Sequence, residues 1–130
     1  YGGSEEYKNQ VIERGSELFK DKFLPILNFM NFDEYMNFLS SLDIAIFAHN
    51  RQQAFGNITS LLSMKKTVYL KEKISTFETL KEMKIEIKSF DRFTDLEKFD
   101  ENTLENNRKI IEENFSEEKL KEQWKNIFEN

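Results

Sequence analysis

The run Ile44-Ala45-Ile46-Phe47-Ala48-His49 constrains this chain more than any other stretch, because it is apolar without alternation up to the histidine. A strand with one wet face alternates apolar and polar residues, so a run that does not alternate is predicted to be covered on both faces. That predicts a parallel, central strand with helices on either side. The neighbouring segments supply them. Asn57 to Met64 carries Ile58, Leu61 and Leu62 at helical spacing, and residues 31–43 place Tyr35, Met36, Leu39 and Leu42 on one stripe behind a plausible N-cap, Asp33.

The same reading extends outward. Gly2-Gly3 turns the chain into a helix over 4–20, with Ser4 as N-cap and Glu5 and Glu6 in its first turn. Gly15 weakens that helix without excluding it. Residues 23–29, FLPILNF, read as a strand started by the only proline, Pro25. TVYL, 67–70, is the next strand, and residues 75–84 form a helix capped by Ser75 or Thr76 with Glu78 in a capping box. IEIKSF, 85–90, alternates and belongs near a sheet edge. Helix and strand thus alternate four times, which predicts an α/β fold with a Rossmann-like parallel sheet flanked by helices. Such a unit begins with a strand ahead of its first glycine turn, so a first strand is expected to be missing before Tyr1.

Residues 1–90 are read as this sheet domain and residues 91–130 as a helical segment. Phe93, Leu96 and Phe99 are predicted to anchor the connector. Leu104, Ile110 and Ile111 mark one helix. Ser116 caps a last one, with Leu120, Trp124, Ile127 and Phe128 on a side expected to pack back on the core. The net charge of −5 sits in this tail, where 12 acidic face 7 basic side chains, whereas residues 1–90 hold equal numbers. A neutral body with an acidic tail lacks the basic footprint of a nucleic-acid binder. The 13 phenylalanines provide for a core, and the absence of cysteine removes disulfide and thiolate chemistry. No apolar run approaches the roughly 20 residues of a membrane span.

In open α/β sheets, ligands bind beyond the carboxyl ends of the strands. His49-Asn50-Arg51-Gln52-Gln53 leaves such an end and runs through Gly56-Asn57 into a helix. Helix N-termini present free N–H groups and a positive dipole, which suits an anion. Arg51 would add a planar cationic fork, Gln52, Gln53 and Asn57 neutral hydrogen bonds, and Gly56 close backbone approach. Gly2-Gly3-Ser4 would form a second such loop, the two gripping a diphosphate. The plainer alternative is a long polar turn with Arg51 paired to a surface acid. His49, the only histidine, is a candidate base but reads more simply as a hydrogen-bonding filler. No metal-ligand spacing and no nucleophile triad is present.

At RQQ-x-x-G-N the sequence resembles the bacterial TDP-N-acetylfucosamine:lipid-linked-disaccharide N-acetylfucosaminyltransferases, the 4-alpha-L-fucosyltransferase family of enterobacterial common antigen synthesis. The resemblance rests on Tyr1-Gly2-Gly3, Glu5-Glu6-Tyr7, Asp43, Arg51-Gln52-Gln53 and Gly56-Asn57, in that order, over about residues 1–90. It implies the C-terminal, donor-binding half of a GT-B glycosyltransferase. It also implies a dTDP-sugar donor, a polyprenyl-diphosphate-linked saccharide acceptor held by an absent N-terminal domain, and no metal ion or other cofactor. The full-length protein would sit in the cytoplasm, peripheral to the inner membrane, and this piece alone would not turn over. Donor diphosphate and sugar contacts fall on Arg51, Gln52, Gln53, Gly56, Asn57, Gly2, Gly3 and Ser4, with Phe29 and Met30 flanking the base; no catalytic residue is assigned. The competing reading is a non-enzymatic α/β interaction or regulatory domain, although the acidic cluster of a receiver is not evident.

Overall fold

The computed structural model describes residues 3–129. The chain divides into two compact units, Tyr1–Phe32 and Asp33–Asn130.

In the N-terminal unit, α1 (Glu5–Phe19) starts as predicted: the Ser4 hydroxyl accepts from the Tyr7 N–H at 3.2 Å, and Glu5 and Glu6 occupy the first turn. Gly15 is explained by packing. A Cβ there would collide with the ring of Phe23, which folds back against the helix. A 3₁₀ turn, Lys20–Lys22, follows. The predicted strand at 23–29 does not form; the segment joins no ladder, and Leu24 and Phe29 are 80% and 95% exposed. An apolar run becomes a strand only when a neighbour accepts its backbone hydrogen bonds, and local sequence does not say whether one is there.

The second unit contains α2 (Phe32–Ser41), β1 (Ile44–Phe47), α3 (Phe55–Ser63), β2 (Thr67–Leu70), α4 (Ser75–Glu82), β3 (Lys88–Ser89), α5 (Glu101–Phe115) and α6 (Glu117–Glu129). The three strands form a parallel sheet in the order β1-β2-β3, with Phe47 opposite Leu70 and Leu70 opposite Ser89. The α/β class is therefore as predicted, but the central strand is not. All four residues of β2 are buried, whereas β1 lies at an edge of this sheet with Ile46 44% exposed. β3 is an edge strand as predicted, though only two residues long.

The core gathers Leu39, Ile58, Leu61, Leu62, Val68, Leu70, Leu80 and Ile111. Helices α3 and α4 stop alike. The Lys66 N–H reaches the Leu61 carbonyl and the Ile85 N–H the Leu80 carbonyl, both at 2.9 Å, with Lys65 and Lys84 in the left-handed region between. These six-to-one closures are Schellman-type stops that turn each helix directly toward the next strand. Two N-terminal predictions are corrected. Phe32 already begins α2, so Asp33 lies in its first turn rather than at the cap. Residue Ile74 occupies the N-cap of α4, without a side-chain cap, and Thr76 is buried with its hydroxyl unpartnered.

In the tail, α5 packs back as expected. Asn107 is 1% exposed; its amide oxygen accepts from the Glu86 N–H at 2.8 Å, and its Nδ2 donates to the Glu86 carbonyl at 2.7 Å. Phe115 meets Phe55 edge to face. Ser116 caps α6 as predicted, accepting from the Lys119 N–H at 3.2 Å. The expected burial of α6 does not occur: Leu120, Trp124, Ile127 and Phe128 stay half exposed or more. An amphipathic stripe states that a helix can be covered on one side, not that a surface is available to cover it. In the connector, Tyr69 and Thr67 of β2 hold residues 95–99. The Tyr69 hydroxyl accepts from the Glu97 N–H, and the Thr67 hydroxyl from the Phe99 N–H, both at 3.0 Å. Leu96, one of the predicted anchors, is exposed.

Several carboxyls ionise more readily than usual. The Lys98 ammonium, bonded to Asp43, lowers its pKa; the Thr103 N–H does so for Asp100, Arg108 for Glu105, and Lys119 for Glu122. A carboxyl depressed in the folded state stabilises it above the unfolded-state pKa and loses that contribution as pH falls through the folded value. The melting temperature is therefore expected to stay flat from pH 7 to about 5 and to fall below about pH 4, as thermal melts across this range will test.

Candidate functional site

The carboxyl ends of the three strands face one side of the sheet. From β1 the chain runs through Ala48, His49 and Asn50 to Arg51, Gln52 and Gln53, all three of which are exposed. Ala54 then occupies the N-cap of α3 in the left-handed region (φ 58°). Alanine has no side-chain acceptor, and the first turn of α3 contains no acid. The Ile58 N–H closes the first turn on the Ala54 carbonyl at 3.0 Å. The N–H groups of Phe55, Gly56 and Asn57 precede any intrahelical acceptor, and the helix's own first turn holds no acid to offset the positive pole of the dipole. A Cβ built on Gly56 would meet nothing within 4 Å, so the protein's own packing does not require glycine there. Asn57 is half-buried beside it.

Arg51 is electrostatically distinct. The other three arginines each pair with a carboxylate: Arg14 with Glu17, Arg92 with Glu72, and Arg108 with Glu105 and Glu112. Among the described residues, Arg51 instead donates from Nε to a neutral acceptor, the Gln53 amide oxygen, at 3.3 Å. The surface-acid partner offered by the plain-turn alternative is not found among them. A guanidinium resting on an amide is free to accept a better partner.

His49 fills space rather than hydrogen-bonding. Its ring packs edge-on against Phe47, and both ring nitrogens are shielded with no partner among the described residues. The hydrogen-bonding role expected of it is thus corrected. A general base must reach the proton it removes, and neither nitrogen is accessible. Two buried unsatisfied polar atoms are costly. His49→Phe is expected to raise stability by about 1 kcal/mol and to leave donor affinity unchanged, measured by denaturant unfolding and calorimetric titration.

The other predicted contacts lie in the N-terminal unit. The Ser4 hydroxyl is engaged in capping α1, and Gly3 is exposed. Gly2 lies outside the described residues. Gly3 and Ser4 line a groove of about 670 Å³ with Tyr7, Val11, Pro25 and Leu27. Phe29 is almost fully exposed and Met30 partly buried; neither lines that groove.

Sequence reasoning missed the residues that leave β2 and β3. Lys71 donates to the Asn50 amide oxygen at 2.6 Å, the Glu72 N–H donates to Asp91 at 2.7 Å, and Arg92 pairs with Glu72 at 2.8 Å. These residues follow the predicted strands TVYL and IEIKSF directly. The strand-end rule that singled out Arg51 would have found them had it been applied to every strand.

Among the described residues, no three His, Cys, Asp or Glu side chains gather as a metal site, and no helix is long and apolar enough to cross a membrane. A family model for 4-alpha-L-fucosyltransferases, glycosyl transferase group 56, matches residues 2–127, running through the tail beyond the stretch on which the sequence resemblance rests. No curated protein and no solved structure matches the chain.

Proposed function

Because this chain belongs to the 4-alpha-L-fucosyltransferase family, glycosyl transferase group 56, we propose that the β1–α3 junction holds the diphosphate of its nucleotide-sugar donor. Family membership makes the chain part of a glycosyltransferase and favours this over a regulatory domain. The observation that carries the reading is Arg51, the one arginine without a carboxylate among the described residues, placed at a helix N-terminus without side-chain cap or acid.

In this reading the donor is a dTDP-linked amino-deoxysugar of the N-acetylfucosamine type. The acceptor is a polyprenyl-diphosphate-linked saccharide in bacterial surface polysaccharide synthesis, met by the full-length enzyme at the inner membrane. As the acceptor hydroxyl gives up its proton to a base and its oxygen bonds to the anomeric carbon, the bond from that carbon to the diphosphate oxygen breaks, and its electron pair leaves with dTDP. The Arg51 fork and the N–H groups of Phe55, Gly56 and Asn57 stabilise the charge that develops there. Gln52, Gln53 and Asn57 orient phosphate or sugar, and the open space over Gly56 admits the ligand to the backbone.

Donor binding, rather than turnover, is the direct readout. Titrating dTDP into the chain should give saturable binding much tighter than that of thymidine. Equal affinity for the two would sink the diphosphate assignment.

A further inference from the structure

We infer that Lys71 is a second cationic contact for the donor diphosphate, resting on Asn50 until a phosphate oxygen replaces that amide. This rests on the reading of the β1–α3 junction given above and adds the end of the neighbouring strand to it. Residues Phe47 and Leu70 are paired in register, so Asn50 and Lys71 leave adjacent parallel strands at the same end of the sheet. The Lys71 ammonium lies 2.6 Å from the Asn50 amide oxygen and 6.0 Å from the centre of the Phe90 ring. Asn50 is the residue directly before Arg51.

Charge decides what Lys71 can do. The acids that follow β2 and β3 have other partners: Glu72 pairs with Arg92, and Asp91 accepts from the Glu72 N–H. Arg92 is thereby neutralised. Lys71, like Arg51, faces a neutral amide oxygen. Among the described residues, the ends of β1 and β2 therefore each carry a cation that rests on an amide and not on a carboxylate, in a chain whose net charge is −5. A sugar diphosphate carries a charge on each phosphate, and one guanidinium does not match both. An ammonium bonded to a phosphate oxygen gains more than one bonded to an amide, and lysine's flexible four-carbon stem allows the short movement required.

The test compares Lys71→Met, Lys71→Arg and Asn50→Ala in calorimetric titrations of the chain with dTDP, dTMP and thymidine, after matched circular dichroism spectra establish folding. Lys71→Met is expected to weaken dTDP about tenfold, with a smaller effect on dTMP and none on thymidine, and Lys71→Arg to restore most of the loss. Asn50→Ala is expected not to weaken dTDP, since it removes only the competing acceptor. If Asn50→Ala weakens dTDP as much as Lys71→Met does, Lys71 is a clip between loops and the inference is overturned. It also falls if Lys71→Met leaves dTDP affinity unchanged while Arg51→Ala abolishes it, and in that case the diphosphate site itself stands. Absence of dTDP binding by the unmodified chain overturns both.

Discussion

Arg51→Ala is expected to weaken dTDP binding about a hundredfold, or roughly 2.7 kcal/mol, while leaving the fold intact. A guanidinium gripping a diphosphate makes two parallel charge-assisted hydrogen bonds, each worth about 1.5–3 kcal/mol. Alanine removes both and leaves the N–H groups of α3 to hold the anion alone. Arg51 is exposed and makes one 3.3 Å hydrogen bond to Gln53, so the substitution should change stability by less than about 0.5 kcal/mol. Arg51→Lys keeps the charge but loses the planar fork, and should fall between alanine and the native residue. Calorimetric titration with dTDP and a parallel thermal melt separate the two effects. A loss of affinity under threefold, at unchanged stability, would remove Arg51 from the site.

Asn107→Ala is expected to cost the fold about 3 kcal/mol and to lower the melting temperature by roughly 10 °C. Asn107 is 1% exposed, and its amide satisfies both backbone groups of Glu86. Truncation leaves those two groups without their partner and opens a void between α5 and the segment leading into β3. The neighbouring Asn106 is exposed, so Asn106→Ala should stay within about 0.5 kcal/mol and serves as the control. Donor affinity measured well below the transition should survive Asn107→Ala, because α5 offers no group to the proposed donor site and touches it only through the packing of Phe115 on Phe55. Equal stabilities for the two variants in denaturant unfolding would mean that the Asn107–Glu86 pair does not hold α5 in place.

The α/β class was legible because it rests on periodicity. Ile58, Leu61 and Leu62 recur at the helical interval, and all three are buried in α3. Caps with a local mechanism were legible too. Ser4 and Ser116 each reach an N–H three residues on, a contact that only the first helical turn has to position. Where several local choices competed, the reading slipped: Ser75 and Thr76 both suit an N-cap, and the helix begins after Ile74 instead. The candidate site was legible at the β1–α3 junction, where polar side chains follow a buried run. At Lys71 only the position directly after a predicted strand was legible; its partner, Asn50 in the loop after β1, is set by the tertiary fold.

By itself, then, the sequence determined the class of fold, the helix faces of the sheet unit and the position of the Arg51 loop at a strand-to-helix turn. All of these follow from interactions within a few residues. Only the tertiary structure decided that TVYL rather than IAIF is the central strand, that FLPILNF pairs with nothing in the sheet, and that the apolar side of α6 stays exposed. It also decided that Phe23 occupies the space left by Gly15, that both nitrogens of His49 lack partners among the described residues, and that Lys71 rests on Asn50. An apolar run or stripe states only that burial would be favourable. Whether a surface comes to cover it depends on residues far away in the chain, and so does the choice of partner for a charge.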